Sequence, residues 1–160
     1  IGMFGTSAGG AMVLAVTQRA IAEGAPRPAA IVAGTPWADI GETGDSYFTN
    51  RHLDAWNYPD ILGEMARQYA PGGDSHDPRL SPVYGSFAGF PPTLVLSGTR
   101  DIFLSNSARV DRKLRDAGRP TQLIVYEGQS HAGYFGELDD PETRTWLRDV
   151  TRFWQQNLKR

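Results

Sequence analysis

Apolar positions along this chain follow two rhythms, and their alternation predicts the architecture. Short unbroken apolar runs between turn residues suit strands covered on both faces. Longer stretches with apolar residues three and four apart suit helices. Ile1–Phe4 is a brief first run, stopped at Gly5. The stretch 7–23 then carries Ala8, Ala11, Met12, Leu14, Ala15, Val16, Ala20 and Ile21. So little polar surface remains that the spacing predicts a helix buried over most of its circumference. Gly24 suits its end, and Pro26 and Pro28 forbid continuation. Ala29–Ala33 reads as a second strand and Pro92–Ser97 as a third. Asn106–Ala117 is an amphipathic helix with Val110, Leu114 and Ala117 on one face, closed by Gly118. Gln122–Tyr126 is a fourth strand. The last helix runs over Pro141–Leu158, with Asp140 as its N-cap, Pro141 at its first position and an apolar stripe of Trp146, Leu147, Val150, Phe153, Trp154 and Leu158.

Between these regular parts, residues 41–90 break the rhythm. Aromatics are frequent there (Tyr47, Phe48, Trp56, Tyr58, Tyr69, Tyr84, Phe87, Phe90) and prolines interrupt them. One helix is predicted from about Pro59 to Tyr69, with Ile61, Leu62, Met65 and Tyr69 at helical spacing. Strands alternating with helices imply an α/β fold, a mostly parallel sheet with helices on both faces. Residues 1–40 and 91–160 are expected to form its core, and residues 41–90 a cap-like insertion. The plainer reading of that insertion, a long surface loop with a satellite cluster, is compatible with it.

Composition narrows the picture only a little. The 160 residues suit one domain, and 16 Lys and Arg against 18 Asp and Glu leave a net charge of −2. No general electrostatic pull toward nucleic acid or an anionic membrane follows. No apolar run approaches the roughly 18 residues of a membrane span. The absence of cysteine excludes disulfides and thiolate metal sites. The expected location is the cytoplasm. The chain opens at Ile1 inside a strand, and is read as the C-terminal part of a larger protein whose missing half, or another copy of the chain, pairs with the exposed sheet edge.

Candidate chemistry centres on Gly5-Thr6-Ser7-Ala8-Gly9. A serine between two glycines, after a strand and before a helix, suits a sharp strained turn that projects the hydroxyl from the end of a sheet. The residues two before and two after are expected to be small, because strand and helix pass close there. The N–H of Ala8, at the helix N-terminus, would face a developing oxyanion. A serine needs a base and the base an orienting acid. In a doubly wound sheet such groups belong just past the C-terminal ends of strands. That rule selects Asp101, in Gly98-Thr99-Arg100-Asp101 after the third strand. It also selects His131, in Glu127-Gly128-Gln129-Ser130-His131 after the fourth. Each alone has a bland reading, a turn aspartate and a solvated histidine. Together they give the order Ser…Asp…His, which among serine hydrolases belongs to the α/β-hydrolases.

Over essentially the whole chain these residues resemble the hormone-sensitive-lipase-like group of bacterial carboxylesterases. Gly5-Thr6-Ser7-Ala8-Gly9-Gly10 resembles that group's nucleophile motif, with threonine where many members have aspartate. Thr35-Pro36-Trp37-Ala38-Asp39, the stretch from Asp77-Pro78 to Ser81-Pro82, Asp101-Ile102-Phe103 and His131-Ala132-Gly133-Tyr134 resemble further motifs of the group. The resemblance implies the C-terminal part of an α/β-hydrolase fold, with Ser7 as nucleophile, Asp101 as acid and His131 as base. It implies a small ester with a short acyl chain as substrate, and no metal or organic cofactor. Trp37, Phe103 and Tyr134 lie near strand ends and are candidates to line the substrate pocket, core packing being the alternative for each. The group's upstream His-Gly-Gly-Gly stretch, which builds most of its oxyanion hole, has no match here. An impaired fragment or a binding module therefore stands as the alternative function, and a peptidase or thioesterase shares the same three residues.

Overall fold

The computed structural model describes residues 1–55 and 61–158. Four strands form one parallel sheet in the order β1 (Gly2–Thr6), β2 (Ala30–Gly34), β3 (Thr93–Gly98), β4 (Thr121–Tyr126). Strands β2 and β3 are buried at every residue, as their unbroken apolar runs require of strands with cover on both faces.

Side chains alternate across the sheet and build two apolar layers. On one face Ile31, Ala33 and Val95 meet Val13 and Leu14 of α1 (Ala8–Ala22) and Val110 and Leu114 of α4 (Leu104–Asp116). Phe87 and Phe90, from the end of the irregular region, complete that layer. On the other face Ala30, Val32, Leu94 and Leu96 meet Trp146, Val150 and Phe153 of α5 (Pro141–Asn157). The long connection from β2 to β3 holds α2 (Ser46–Thr49), α3 (Ile61–Tyr69) and a 3-10 turn at Pro82–Tyr84. It is fastened to the core by an ion pair between the partly exposed Arg109 and the buried Asp39. Arg109 on α4 donates to Asp39 Oδ2 at 2.6 Å and to Thr43 O at 2.7 Å, and Tyr84 donates to the same carboxylate at 2.9 Å. Burial opposes the Arg109 charge, but the bonds to Asp39 and Tyr84 outweigh it and hold the guanidinium above its ordinary pKa.

Several local expectations need correction. Helix α1 is covered on one side and not over most of its circumference: Met12 and Val16 are half-exposed, on the side away from the Val13–Leu14 contact with the sheet. Phe4 on the edge strand β1 is exposed as well, on the opposite face of the sheet, where its ring meets Trp146. Ala117 caps α4 and is exposed, so the buried face of that helix rests on Val110 and Leu114. Asp140 does occupy the N-cap of α5, but its carboxylate turns back to accept the Glu137 N–H at 3.0 Å. The predicted helix in the insertion begins, among the described residues, at Ile61, and Trp56, Tyr58 and Pro59 lie outside them. Helix α2 has no counterpart in the pattern. Among the described residues no helix is long and apolar enough to cross a membrane.

Candidate active site

Ser7 sits at the turn between β1 and α1 with φ 57° and ψ −124°, a conformation that a non-glycine residue adopts only under strain. Neighbouring main chain holds it there. Its N–H donates to Gly34 O at 2.9 Å, and its carbonyl accepts the Trp37 N–H at 3.0 Å. Both partners flank the end of β2, so the strained turn is locked to the adjacent strand. The flanking glycines divide the steric work unequally. A Cβ on Gly5 would collide with the Gly9 carbonyl, whereas a Cβ on Gly9 would meet nothing within 4 Å. The second tight residue is Gly10, whose Cβ would lie 2.8 Å from Gly34 O and 2.9 Å from Pro36 Cα. Helix and strand do pass close together, but at Gly5 and Gly10, with the Gly9 carbonyl filling the gap.

The three residues selected from strand ends lie together. His131 Nε2 is 3.0 Å from Ser7 Oγ, and His131 Nδ1 is 3.3 Å from Asp101 Oδ1. Asp101 is fully buried. A carboxylate tolerates that only when its lone pairs are met. Oδ1 accepts the Phe103 N–H at 2.8 Å, and Oδ2 accepts hydroxyls from Ser97, at 2.8 Å, and from Thr35. Ala8 opens α1, so its N–H is among those the helix leaves without an intrahelical acceptor. Among the described residues no group of His, Asp and Glu side chains could hold a metal ion.

Thr35 is the residue that sequence reasoning passed over. Its hydroxyl donates to Asp101 Oδ2 and lies 2.9 Å from His131 Nδ1. A hydroxyl has one hydrogen. Given to Asp101, it leaves the oxygen able only to accept from His131, so the imidazole proton sits on Nδ1. Nε2 then has its lone pair free to accept the Ser7 hydroxyl. The Thr35 backbone has φ 37°, which is costly for a β-branched residue and points to a conformation enforced by its surroundings. The strand-end rule that selected Asp101 and His131 would have selected Thr35 as well, because it follows β2 directly.

The expected pocket residues fare differently. Phe103 is only 2% exposed; its ring stands edge-on to the His131 ring at 4.9 Å and stacks on Trp37 at 6.0 Å. It walls the imidazole. Trp37 is half-buried at the rim of this cluster. Tyr134 takes the alternative, core packing: at 2% exposed it packs with Leu94, Leu96 and Trp146 in the α5 layer, and burial pushes its phenol well above the ordinary pKa. A shallow groove bounded by Pro92, Thr93, Pro120 and Phe153 lies at the opposite end of β3 and β4.

The comparisons with known proteins agree with this fold. The model of a family described as having the alpha/beta hydrolase fold matches residues 1–135. An acetyl-hydrolase of Streptomyces hygroscopicus is 29% identical over 140 residues, which cover 88% of this chain and 47% of that protein. A triacylglycerol lipase of Mycobacterium tuberculosis (strain ATCC 25618 / H37Rv) is 30% identical over 131 residues, covering 82% of this chain and 25% of that protein. The crystal structure of an esterase E25 superposes with a TM-score of 0.95 at 39% identity, over 99% of this chain and 49% of that one. An esterase from the bacterial hormone-sensitive lipase family superposes with a TM-score of 0.95 at 28% identity, over 99% of this chain and 54% of its own. The chain thus spans about half the length of the acetyl-hydrolase and of both esterases, and about a quarter of the lipase.

Proposed function

The chain belongs to the α/β-hydrolase family, among its hormone-sensitive-lipase-like members, and from that premise we propose that it carries the catalytic triad of a serine carboxylesterase acting on short-chain esters. The observation that carries this reading is the 3.0 Å approach of His131 Nε2 to Ser7 Oγ, with Asp101 behind the imidazole. His131 takes the Ser7 proton as the hydroxyl attacks the ester carbonyl. Asp101 and Thr35 hold the tautomer that leaves Nε2 free, and Asp101 stabilises the imidazolium that forms. The Ala8 N–H supports the oxyanion from the helix N-terminus. The alcohol departs with the proton from His131. Water then attacks the acyl-enzyme, with His131 again as base.

The insertion at residues 41–90 acts in this reading as a cap over the core formed by 1–40 and 91–160, except at its end, where Val83, Phe87 and Phe90 belong to that core. It leaves the sheet at the C-terminal end of β2, the end where Ser7 stands. The free edge of β1 takes a further strand from a preceding half of the protein or from another copy. Phe4, Met12 and Val16 support that role as an exposed apolar margin on β1 and α1. Removing one oxyanion donor costs about 10²–10³ in rate, so turnover depends on a partner that supplies the remaining donors.

Labelling by a serine-directed fluorophosphonate tests the triad. The expected result is stoichiometric modification of Ser7, lost in Ser7→Ala and slowed by about 10²–10⁴ in His131→Ala. A wild-type chain that labels no faster than Ser7→Ala is a scaffold without a working nucleophile. Mixing the chain with a separately expressed N-terminal half should raise hydrolysis of p-nitrophenyl acetate. No gain from a pair shown to associate would remove the pairing claim.

A further inference from the structure

The residues read above as acid and base stand on the loops after β3 and β4, and a third segment grips both loops by their main chain. Helix α2 and the turn after it carry Ser46, Asn50 and Asp54, four residues apart. The Asp54 N–H donates to Asn50 O at 3.0 Å, so helical spacing continues through the turn and the three side chains project on one side. All three are buried, at 4%, 7% and 7% exposure. Ser46 Oγ donates to Ile102 O at 2.6 Å and accepts the Ser105 N–H at 2.9 Å. Asn50 Nδ2 donates to Asp101 O at 2.9 Å and to Thr99 O at 3.2 Å. Asp54 reaches furthest. Its Oδ2 accepts the Ile102 N–H at 2.9 Å, and its Oδ1 accepts the His131 N–H at 3.2 Å.

We propose that Asp54 is a positioning residue for the reaction: its carboxylate ties the acid loop at Ile102 to the base loop at His131 and thereby sets the reach of the imidazole to Ser7. The proposal rests on the reading of Ser7, Asp101 and His131 as a triad. Three observations carry it. First, a buried carboxylate is a costly way to fill space, and this one is met by main-chain donors from two separate loops. Second, two further main-chain donors join these loops, Arg100 N–H to Gln129 O at 3.0 Å and Gly128 N–H to Thr99 Oγ1 at 2.8 Å, and both lie nearer the strands than the bond from the His131 N–H to Asp54. Third, Ala132 directly follows His131 with φ 55°, a left-handed conformation that alanine keeps only when its surroundings hold it.

The test compares the chain with Asp54→Asn, Asp54→Ala and, as a control on the same helix, Thr49→Ala, whose side chain is exposed. Two readouts are taken at a temperature where circular dichroism shows all four folded. One is the nuclear Overhauser contact between the His131 and Phe103 rings, which stand 4.9 Å apart. The other is the rate of fluorophosphonate labelling at Ser7. Both Asp54 variants are expected to weaken the ring contact and to slow labelling by about ten- to a hundredfold, while Thr49→Ala matches the wild type in both. If Asp54→Ala does not fold, Asp54→Asn, which keeps the volume and one acceptor oxygen, carries the comparison. An unchanged ring contact or wild-type labelling in a folded Asp54 variant overturns the proposal, whatever its melting temperature. If the wild type itself labels no faster than Ser7→Ala, the esterase reading fails, and the ring contact alone decides whether Asp54 positions His131.

Discussion

Thr35 does two jobs with one hydroxyl, giving its hydrogen to Asp101 and accepting from His131. Removing the hydroxyl while keeping the shape takes one of four partners from a buried carboxylate and one acceptor from Nδ1. Thr35→Val is therefore expected to slow labelling of Ser7 by about ten- to a hundredfold, the worth of a hydrogen bond to a charged group. Thr35→Ser, which keeps the oxygen, should stay within about threefold of wild type at the same site. Stopped labelling assays read by intact mass compare the two, and equal rates for Val and wild type would remove Thr35 from the site. Ser7, Asp101 and His131 were legible in the sequence because each residue type has a known task and each follows a predicted strand. Thr35 obeys the same positional rule. A threonine before a proline in a turn suggests no chemistry by itself, and its role exists only once β2 and β3 lie side by side.

At the scale of elements, the β1–α1 turn shows how one motif divides its duties. The glycine spacing around Ser7 reads as two close approaches, and the structure contains one of them at Gly5 and the other at Gly10. The difference is measurable. Gly5→Ala drives a methyl into the Gly9 carbonyl and should cost about 1–3 kcal/mol. Gly9→Ala has room and sits in the first turn of a helix, where replacing glycine should stabilise by about 0.5–1 kcal/mol. Urea unfolding of the two variants gives the sign directly, and a stabilised Gly5→Ala would refute the packing described here. The long helices were legible because 15 and 17 residues of repeating pattern outweigh local noise. Helix α2, four residues long, was not. Its existence depends on Ser46 and Asn50 bonding to residues more than 40 positions away, which no local window contains.

At the scale of the molecule, burial of polar rings sets the response to alkali. Burial holds the Tyr47 and Tyr134 phenols well above their ordinary pKa. Below about pH 10 both folded and unfolded chains keep these protons, and the groups leave stability unchanged with pH. Above it the unfolded chain releases them while the folded chain does not. Stability should then fall by about 1.4 kcal/mol per pH unit for each tyrosine. Melting temperatures from pH 8 to 11 should be level at first and then drop. Tyr134→Phe should make the drop shallower, and an unchanged slope would show that Tyr134 does not contribute.

The sequence by itself determined the α/β class, the register of strand and helix along the chain, and the three residues that converge beside β1. All of these are properties of period and order, which a linear pattern can carry. The tertiary structure alone decided the rest. Tyr134 went into the α5 layer instead of a pocket, one side of α1 stayed uncovered at Met12 and Val16, and the network of Thr35, Asn50 and Asp54 closed around the acid and base loops. Each outcome depends on which neighbour a side chain meets across the sheet. Residues joined over 30 to 96 positions acquire that neighbour only when the strands assemble.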